Sequence, residues 1–192
     1  MHTKEINLEV SNSLQVLETG GTLLYPCDTI WGIGCDATNP IAVERIFRLK
    51  RRSESKSLII LLDHFDKLAN YITHVPSITY DLTNQVDEPL TIVYDGAKNL
   101  ASNVIAADGT IAIRIIKHEF CQSLIRRFGK PIVSTSANLS TEPPPALFSQ
   151  VSDSIKKGVN YIVNLQQSNI NRTKPSKIIR LYSNGNYNII RE

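Results

Sequence analysis

Cysteine, methionine and tryptophan are scarce in this 192-residue chain, at three, one and one residues. Three cysteines (Cys27, Cys35, Cys121) make an odd, sparse set. That excludes a disulfide-stapled secreted scaffold and fits reduced thiols in a cytosol. Long hydrophobic runs are lacking as well. The longest aliphatic stretch, 58–62, falls far short of the roughly 20 residues that cross a bilayer, so no membrane association is expected. The opening MHTKEINLEV carries charge but no apolar signal core, so export is not expected and a cytoplasmic location is. Charge of one sign is not in large excess. A net charge of +3 is mildly basic, less than a protein coated with nucleic acid usually shows.

Familiar site motifs are missing too. Gly129-Lys130-Pro131 lacks the upstream glycine and the following Ser or Thr of a P-loop, and Gly32-x-Gly34 has no third glycine at dinucleotide spacing. The four histidines (2, 64, 74, 118) are dispersed and do not pair with cysteines at zinc spacing. Cys27 has no identifiable base, so no nucleophile–base pair emerges.

What is present reads as one globular domain, 1–192, with 42% hydrophobic and 20% charged residues. The stretch 21–62 organises it. A short apolar strand at 22–25 stops at Pro26, and a glycine-rich loop follows. Asn39-Pro40 then reads as a cap and first helical turn, and Ile41, Val43, Ile46, Phe47 and Leu49 give the helix an apolar face. The cations Lys50, Arg51 and Arg52 arrive as that helix should end, and a β-branched strand follows at 57–62.

Elsewhere the second half of 6–17 reads as a helix closed by Gly20-Gly21. Short helices are expected at 64–72 and 76–86, and strands at 89–94 and 110–116, the latter entered from the turn pair Asp108-Gly109. A helix at 120–128 should end at Gly129, and a short strand at 131–133 should run into the loop Ser134-Thr135-Ser136-Ala137-Asn138. Three prolines precede an expected helix at 146–157, and late strands fall at 161–165, 177–182 and 187–190. The polar stretch 164–174 is a candidate lid. Strands and helices alternate, so the class is α/β with an open mixed sheet.

Three groups carry candidate chemistry, each with a plainer alternative. Lys50, Arg52 and Lys56 around one turn suit a polyphosphate, or form a solvated helix end. The 134–138 loop presents hydroxyls and backbone N–H groups at a strand end, or is a turn that merely stops the strand. Arg114, inside the apolar run 111–116, must reach an anion or an internal acid, because burying it unpaired is costly. Cations, hydroxyls and glycine loops without a nucleophile suit reactions run by positioning and charge neutralisation, above all transfer at phosphorus.

The residues resemble a known family. PCDTIWGIGCDA is similar to the P-T-D-T-x-Y-G-L-G opening of the YrdC family. IFRLKRR resembles its Lys-x-Arg signature, TIAIR its T-x-A-x-R strand, and STSANLS its S-x-N loop. The likeness runs in order from about residue 20 to 191 and stops where the short bacterial type stops. It implies a twisted open mixed sheet with helices on both sides around a concave cationic cavity. It also implies an activity in which L-threonine, bicarbonate and ATP give threonylcarbamoyl-adenylate and pyrophosphate for tRNA modification.

By the same resemblance Lys50 and Arg52 are the catalytic pair, meeting the phosphates together with Lys56. Thr110, Asn138, the backbone near Ala146 and Arg191 hold the rest of the nucleotide. Thr29, Arg114, Ser136 and Ser176 hold threonine, with Arg114 on its carboxylate. Mg²⁺ accompanies ATP. Direct binding of double-stranded RNA or tRNA, and contact with tRNA threonylcarbamoyl-transferase proteins, are the implied macromolecular partners. The alternatives are an RNA-binding relative, which would need Arg126-Arg127, Lys156-Lys157 and Arg172/Lys174/Lys177 in one stripe, or a catalytically divergent paralogue. Several positions depart from the pattern: Cys27, Trp31 and Ser53; Asp87-Glu88 for a proline and glycine; and Lys177 and Arg180 for a late threonine and aspartate.

Overall fold

Alternation along short strands decides this architecture, because each strand hands successive side chains to opposite faces of one sheet. The structure, a computed structural model, describes residues 2–53, 58–84, 88–168 and 175–192. The strands are β1 (Leu23–Tyr25), β2 (Gly32–Gly34), β3 (Ile59–Leu62), β4 (Leu90–Tyr94), β5 (Ile111–Ile115), β6 (Ile132–Ser136), β7 (Tyr161–Ile162), β8 (Lys177–Leu181) and β9 (Tyr187–Arg191). They form a nine-stranded sheet in the order β7-β1-β2-β6-β3-β5-β4-β8-β9. Pairs β1–β7, β3–β5 and β4–β8 are parallel and the other pairs antiparallel, so the sheet is mixed and open, as expected.

Helices α1 (His2–Glu18), α2 (Pro40–Leu49), α3 (Thr79–Asn84), α4 (Glu119–Phe128) and α5 (Asp153–Gly158) complete the framework. On one face Leu24, Ile33, Ile60, Leu62, Ile113 and Val133 pack with Val43, Ile46 and Phe47 of α2 and Ile155 of α5. On the other, Leu23, Tyr25, Leu61 and Ile132 pack with Val10 and Leu17 of α1 and Phe120, Leu124 and Ile125 of α4. Helices therefore lie on both sides. Among the described residues no helix is long and apolar enough to cross a membrane.

Local signals act where they were read. Asn39 Oδ1 accepts from the N–H groups of Ile41 (3.0 Å) and Ala42 (3.2 Å), with Pro40 in the first turn of α2. Gly20 (φ +73°) closes α1, which starts at His2 and is longer than its periodicity indicates. Gly129 (φ +74°) ends α4, its N–H donating to Ile125 O at 2.9 Å.

Several expectations are corrected. The glycine-rich loop is the strand β2, antiparallel to both β1 and β6. Pairing on both edges outweighs the poor strand preference of glycine, and the missing side chains make room for the Tyr25 ring. A Cβ on Gly34 would sit 2.3 Å from Val133 O and 2.8 Å from that ring. The strand at 131–133 continues as β6 through Ser136, because β2 and β3 flank it, with Gly32 opposite Ser136 and Ile59 opposite Ser134. The helix expected at 146–157 is a 3₁₀ turn, Phe148–Gln150, followed by α5. Gln150 Oε1 takes the N–H groups of Ala146 (2.9 Å) and Leu147 (3.1 Å), and the extended, buried Val151 separates the two turns. Finally, β7 is two residues rather than five, and 64–72 winds as a 3₁₀ helix, Phe65–Asn70. Of the helix read at 76–86, residues 79–84 are helical, while 85 and 86 lie outside the described residues.

Candidate functional site

Helices α1 and α4 cover only part of their sheet face. The rest is the floor of a cavity of about 640 Å³. Its floor follows from register. Ser134, Ile59, Ala112, Val93 and Arg180 stand side by side across β6, β3, β5, β4 and β8. One step along, Arg114 lies on β5 and Ile178 pairs with Arg191 across β8 and β9. The walls add Thr29, Trp31, Arg52, Asp108, Thr110, Ser136 and Ser176.

Arg114 is held by an acid and a hydroxyl. Its Nη1 donates to Asp28 Oδ1 at 3.0 Å and to Thr29 Oγ1 at 3.3 Å. Arg114 and Asp28 side chains are only 5% and 13% exposed, so removing either would cost about 3–5 kcal/mol through the charge left behind. The Cys27 thiol donates to the same Asp28 oxygen at 3.1 Å. Arg114 Nε is buried without a hydrogen-bond partner, an unmet donor on a guanidinium that lines the cavity.

Arg191 donates to the Ser176 carbonyl through Nε (3.1 Å) and Nη2 (2.8 Å), and the Ser176 hydroxyl meets Thr91 Oγ1 at 2.8 Å. Burial, then the nearby Arg114, lowers the Arg191 pKa, and burial lowers that of Arg52. Each cation is thus partly desolvated and has less water to lose on meeting an anion.

Lys50 is placed differently. It is almost fully buried and is absent from the cavity lining. Its Nζ donates to the carbonyls of Ser136 and Asn138, the latter at 2.6 Å, while its own carbonyl accepts from Ser140 N at 3.0 Å. It clamps the loop after β6 from behind. Burial foremost, then Arg52, against Glu142, moves its pKa down to about 8.

The structure brings Thr29, Arg52, Thr110, Arg114, Ser136, Ser176 and Arg191 around one cavity. Asn138 stands beside it in the clamped loop, its Nδ2 donating to Leu139 O (2.9 Å) and Glu142 O (2.6 Å). Ala146 is half-buried two residues beyond the lining Pro144. Lys56 lies outside the described residues, as do Asp87 and positions 169–174 of the candidate lid. Glu88 lines a separate hollow of about 200 Å³ with Asp28 and Lys117.

Sequence reasoning missed two residues that line the cavity. In the sequence Asp108 belongs only to a turn pair, yet its Oδ1 accepts from the Thr110 hydroxyl (2.7 Å) and N–H (3.1 Å). Arg180 stands out in the sequence only as a departure from the family pattern, yet it donates to Asp108 Oδ2 (3.1 Å) and Asp95 Oδ1 (2.9 Å). The register of β8 against β4, a pairing of distant segments, is what carries it to the cavity.

Metal-binding groups do not cluster. Among the described residues no group of three His, Cys, Asp or Glu is placed to hold an ion, and Asp108 is engaged by Thr110 and Arg180.

Fold and cavity together define an α/β protein with an open mixed sheet whose bare half carries arginines and hydroxyls. A family model described as telomere recombination, named for Sua5, YciO and YrdC, matches residues 15–192; the chain belongs to the Sua5/YciO/YrdC family. It is 34% identical over 170 residues to the threonylcarbamoyl-AMP synthase of Hahella chejuensis, covering 88% of this chain and 91% of that protein. It is 31% identical over 169 residues to that of Vibrio campbellii, covering 86% and 90%. Among solved structures, P. abyssi Sua5 complexed with L-threonine superposes with a TM-score of 0.80 at 26% identity. That match covers 90% of this chain and 50% of Sua5, so the chain spans half of that longer protein. E. coli YciO, at 22% identity, superposes with a TM-score of 0.82 over 95% of this chain and 88% of its own, a likeness of fold.

Proposed function

We propose that the chain is an L-threonylcarbamoyladenylate synthase, a nucleotidyltransferase that makes threonylcarbamoyl-AMP and pyrophosphate from L-threonine, bicarbonate and ATP. The observation that carries this reading is one cavity lined by Arg52, Arg114, Arg180 and Arg191 together with Thr29, Thr110, Ser136 and Ser176. Relatives named for this synthase support the choice.

In this reading Arg114 takes the threonine carboxylate, its unpaired Nε adding a donor, while Thr29 and Ser176 hold the rest of that substrate. Arg52 and Arg191 meet the nucleotide's anionic groups. Lys50 acts from behind, fixing the Ser136–Asn138 backbone and adding positive potential. The threonine amine, deprotonated, attacks bicarbonate; water leaves and a carbamate forms. A carbamate oxygen then attacks the α-phosphorus in line, and pyrophosphate departs with its electrons. The residues supply position and positive charge rather than a nucleophile. Mg²⁺ belongs to the substrate, carried in on the ATP polyphosphate. The product would feed tRNA threonylcarbamoyl-transferase proteins in the cytoplasm.

The RNA-binding reading has less support. Arg126 and Arg127 sit on α4 and Lys156 and Lys157 on α5, helices that pack on opposite faces of the sheet. Arg172 and Lys174 lie outside the described residues.

Pyrophosphate release from ATP, measured with and without threonine and bicarbonate, tests the proposal. It should require both, and Arg52→Ala should lower it by roughly 10²–10³-fold. Release indifferent to threonine would reassign the acceptor. Nucleotide binding without release would make the chain a divergent paralogue.

A further inference from the structure

One set of contacts on the wall has no role in the reaction as written. Arg180 holds Asp108 Oδ2 at 3.1 Å and Asp95 Oδ1 at 2.9 Å, and its guanidinium lies 5.5 Å from the Tyr182 ring. Asp95 and Asp108 are about half exposed, a setting where ion pairs add little stability. Geometry, rather than stability, is what the bridge provides. It fixes Asp108 so that Oδ1 faces Thr110, 2.7 Å from Oγ1 and 3.1 Å from the backbone N.

Hydrogen-bond inventory gives this a chemical consequence. An ionised carboxylate only accepts, and a threonine hydroxyl has a single proton. Hydrogen bonding from Thr110, the largest influence, together with Arg180 keeps Asp108 ionised below the usual carboxylate range. The Thr110 proton is therefore spent on Asp108, and toward the cavity its Oγ1 has only lone pairs.

We propose that the Arg180–Asp108–Thr110 chain is a specificity device that makes Thr110 Oγ1 an obligate acceptor, selecting nucleotides that present a hydrogen-bond donor there. This rests on the synthase reading, in which the cavity takes ATP. The donor is the adenine amino group or a ribose hydroxyl, and a base presenting a carbonyl at the same place would set two acceptors against each other. Thr110 touches the ligand. Asp108 and Arg180 are positioning residues that act through it.

Equilibrium binding of ATP, purine riboside triphosphate, 2′-deoxy-ATP and 3′-deoxy-ATP to the full chain is the test. One analogue lacking the donor should bind about five- to tenfold more weakly than ATP, and which one does so identifies the donor. Thr110→Val should abolish that ratio and Thr110→Ser should keep it. Asp108→Ala and Arg180→Ala should shrink the ratio itself, whereas a merely structural defect would weaken all four nucleotides alike. Analogues that all bind as ATP does, or a ratio that survives Thr110→Val, would overturn the inference and leave the synthase reading standing. No binding of ATP would overturn both.

Discussion

Two halves of one sheet face do opposite things. Under α1 and α4 the face is dry: Leu61 and Ile132 meet Leu124 and Ile125. A few residues along the same strands it is open: Ile59, Ala112, Arg114, Ser134 and Ser136 line the cavity. The strands β3 and β6 thus contribute to both halves, and no change of fold marks the border. What changes is whether a helix lies above. Residues under the helices maintain the framework. Their neighbours two positions away are released from packing and can be polar.

The comparison can be broken from either side. The largest effect should come from the covered half. Leu124→Ala deletes a fully buried side chain between α4 and the sheet and should lower the unfolding free energy by about 2–5 kcal/mol in urea titration. ATP affinity of the folded fraction should not change. A large affinity loss without a stability loss would mean that the halves are not separate.

Lys50 stands at the border and gives a pH signature. With a pKa of about 8 when folded against an ordinary 10.5, the folded state binds fewer protons between those values. The unfolding free energy should therefore rise with pH across roughly 8 to 10.5, by at most ~3 kcal/mol relative to Lys50→Met. Below pH 8 the burial penalty is fully present and the difference is constant. A wild-type-minus-variant profile flat through pH 8–10.5 would contradict a depressed Lys50.

In the open half, Ala112→Leu should fill space rather than create strain, since Ala112 faces the cavity between Ile59 and Val93. Nucleotide binding by calorimetry should weaken about tenfold or more, with stability changed by less than about 1 kcal/mol. Smallest of all, Thr91→Val removes one partner of the Ser176 hydroxyl. Because Arg191 Nη2 still approaches that oxygen (3.4 Å), thermal unfolding should report a loss of only about 1 kcal/mol.

Much of this was legible in the chain itself, for local reasons. The cap at Asn39, the stop at Gly129 and the alternation of 111–115 are decided within a few residues. Arg114 announced itself as a charge inside an apolar strand. What was not legible depends on partners distant in sequence. β2 reads as a loop because glycine carries no strand signal; pairing with β1 and β6 on its two edges, with room for the Tyr25 ring, makes it a strand. Lys50 and Arg52 look alike in a basic turn, yet the last turn of α2 sends one under the 136–140 loop and the other to the cavity wall. Arg180 gained meaning only from a register between segments 87 residues apart, Leu90 against Lys177.

That register also has a consequence in time. Synthesis delivers β3, β5 and β6 well before β8 and β9, so on the ribosome a growing chain holds Arg52 and Arg114 without Ser176, Arg180 or Arg191. Closing such a distant pairing is a slow event that local helices do not accelerate. Nucleotide capture should therefore lag behind collapse of the helix-covered core, and ligand present during refolding should stabilise the finished product without hastening its earliest stage.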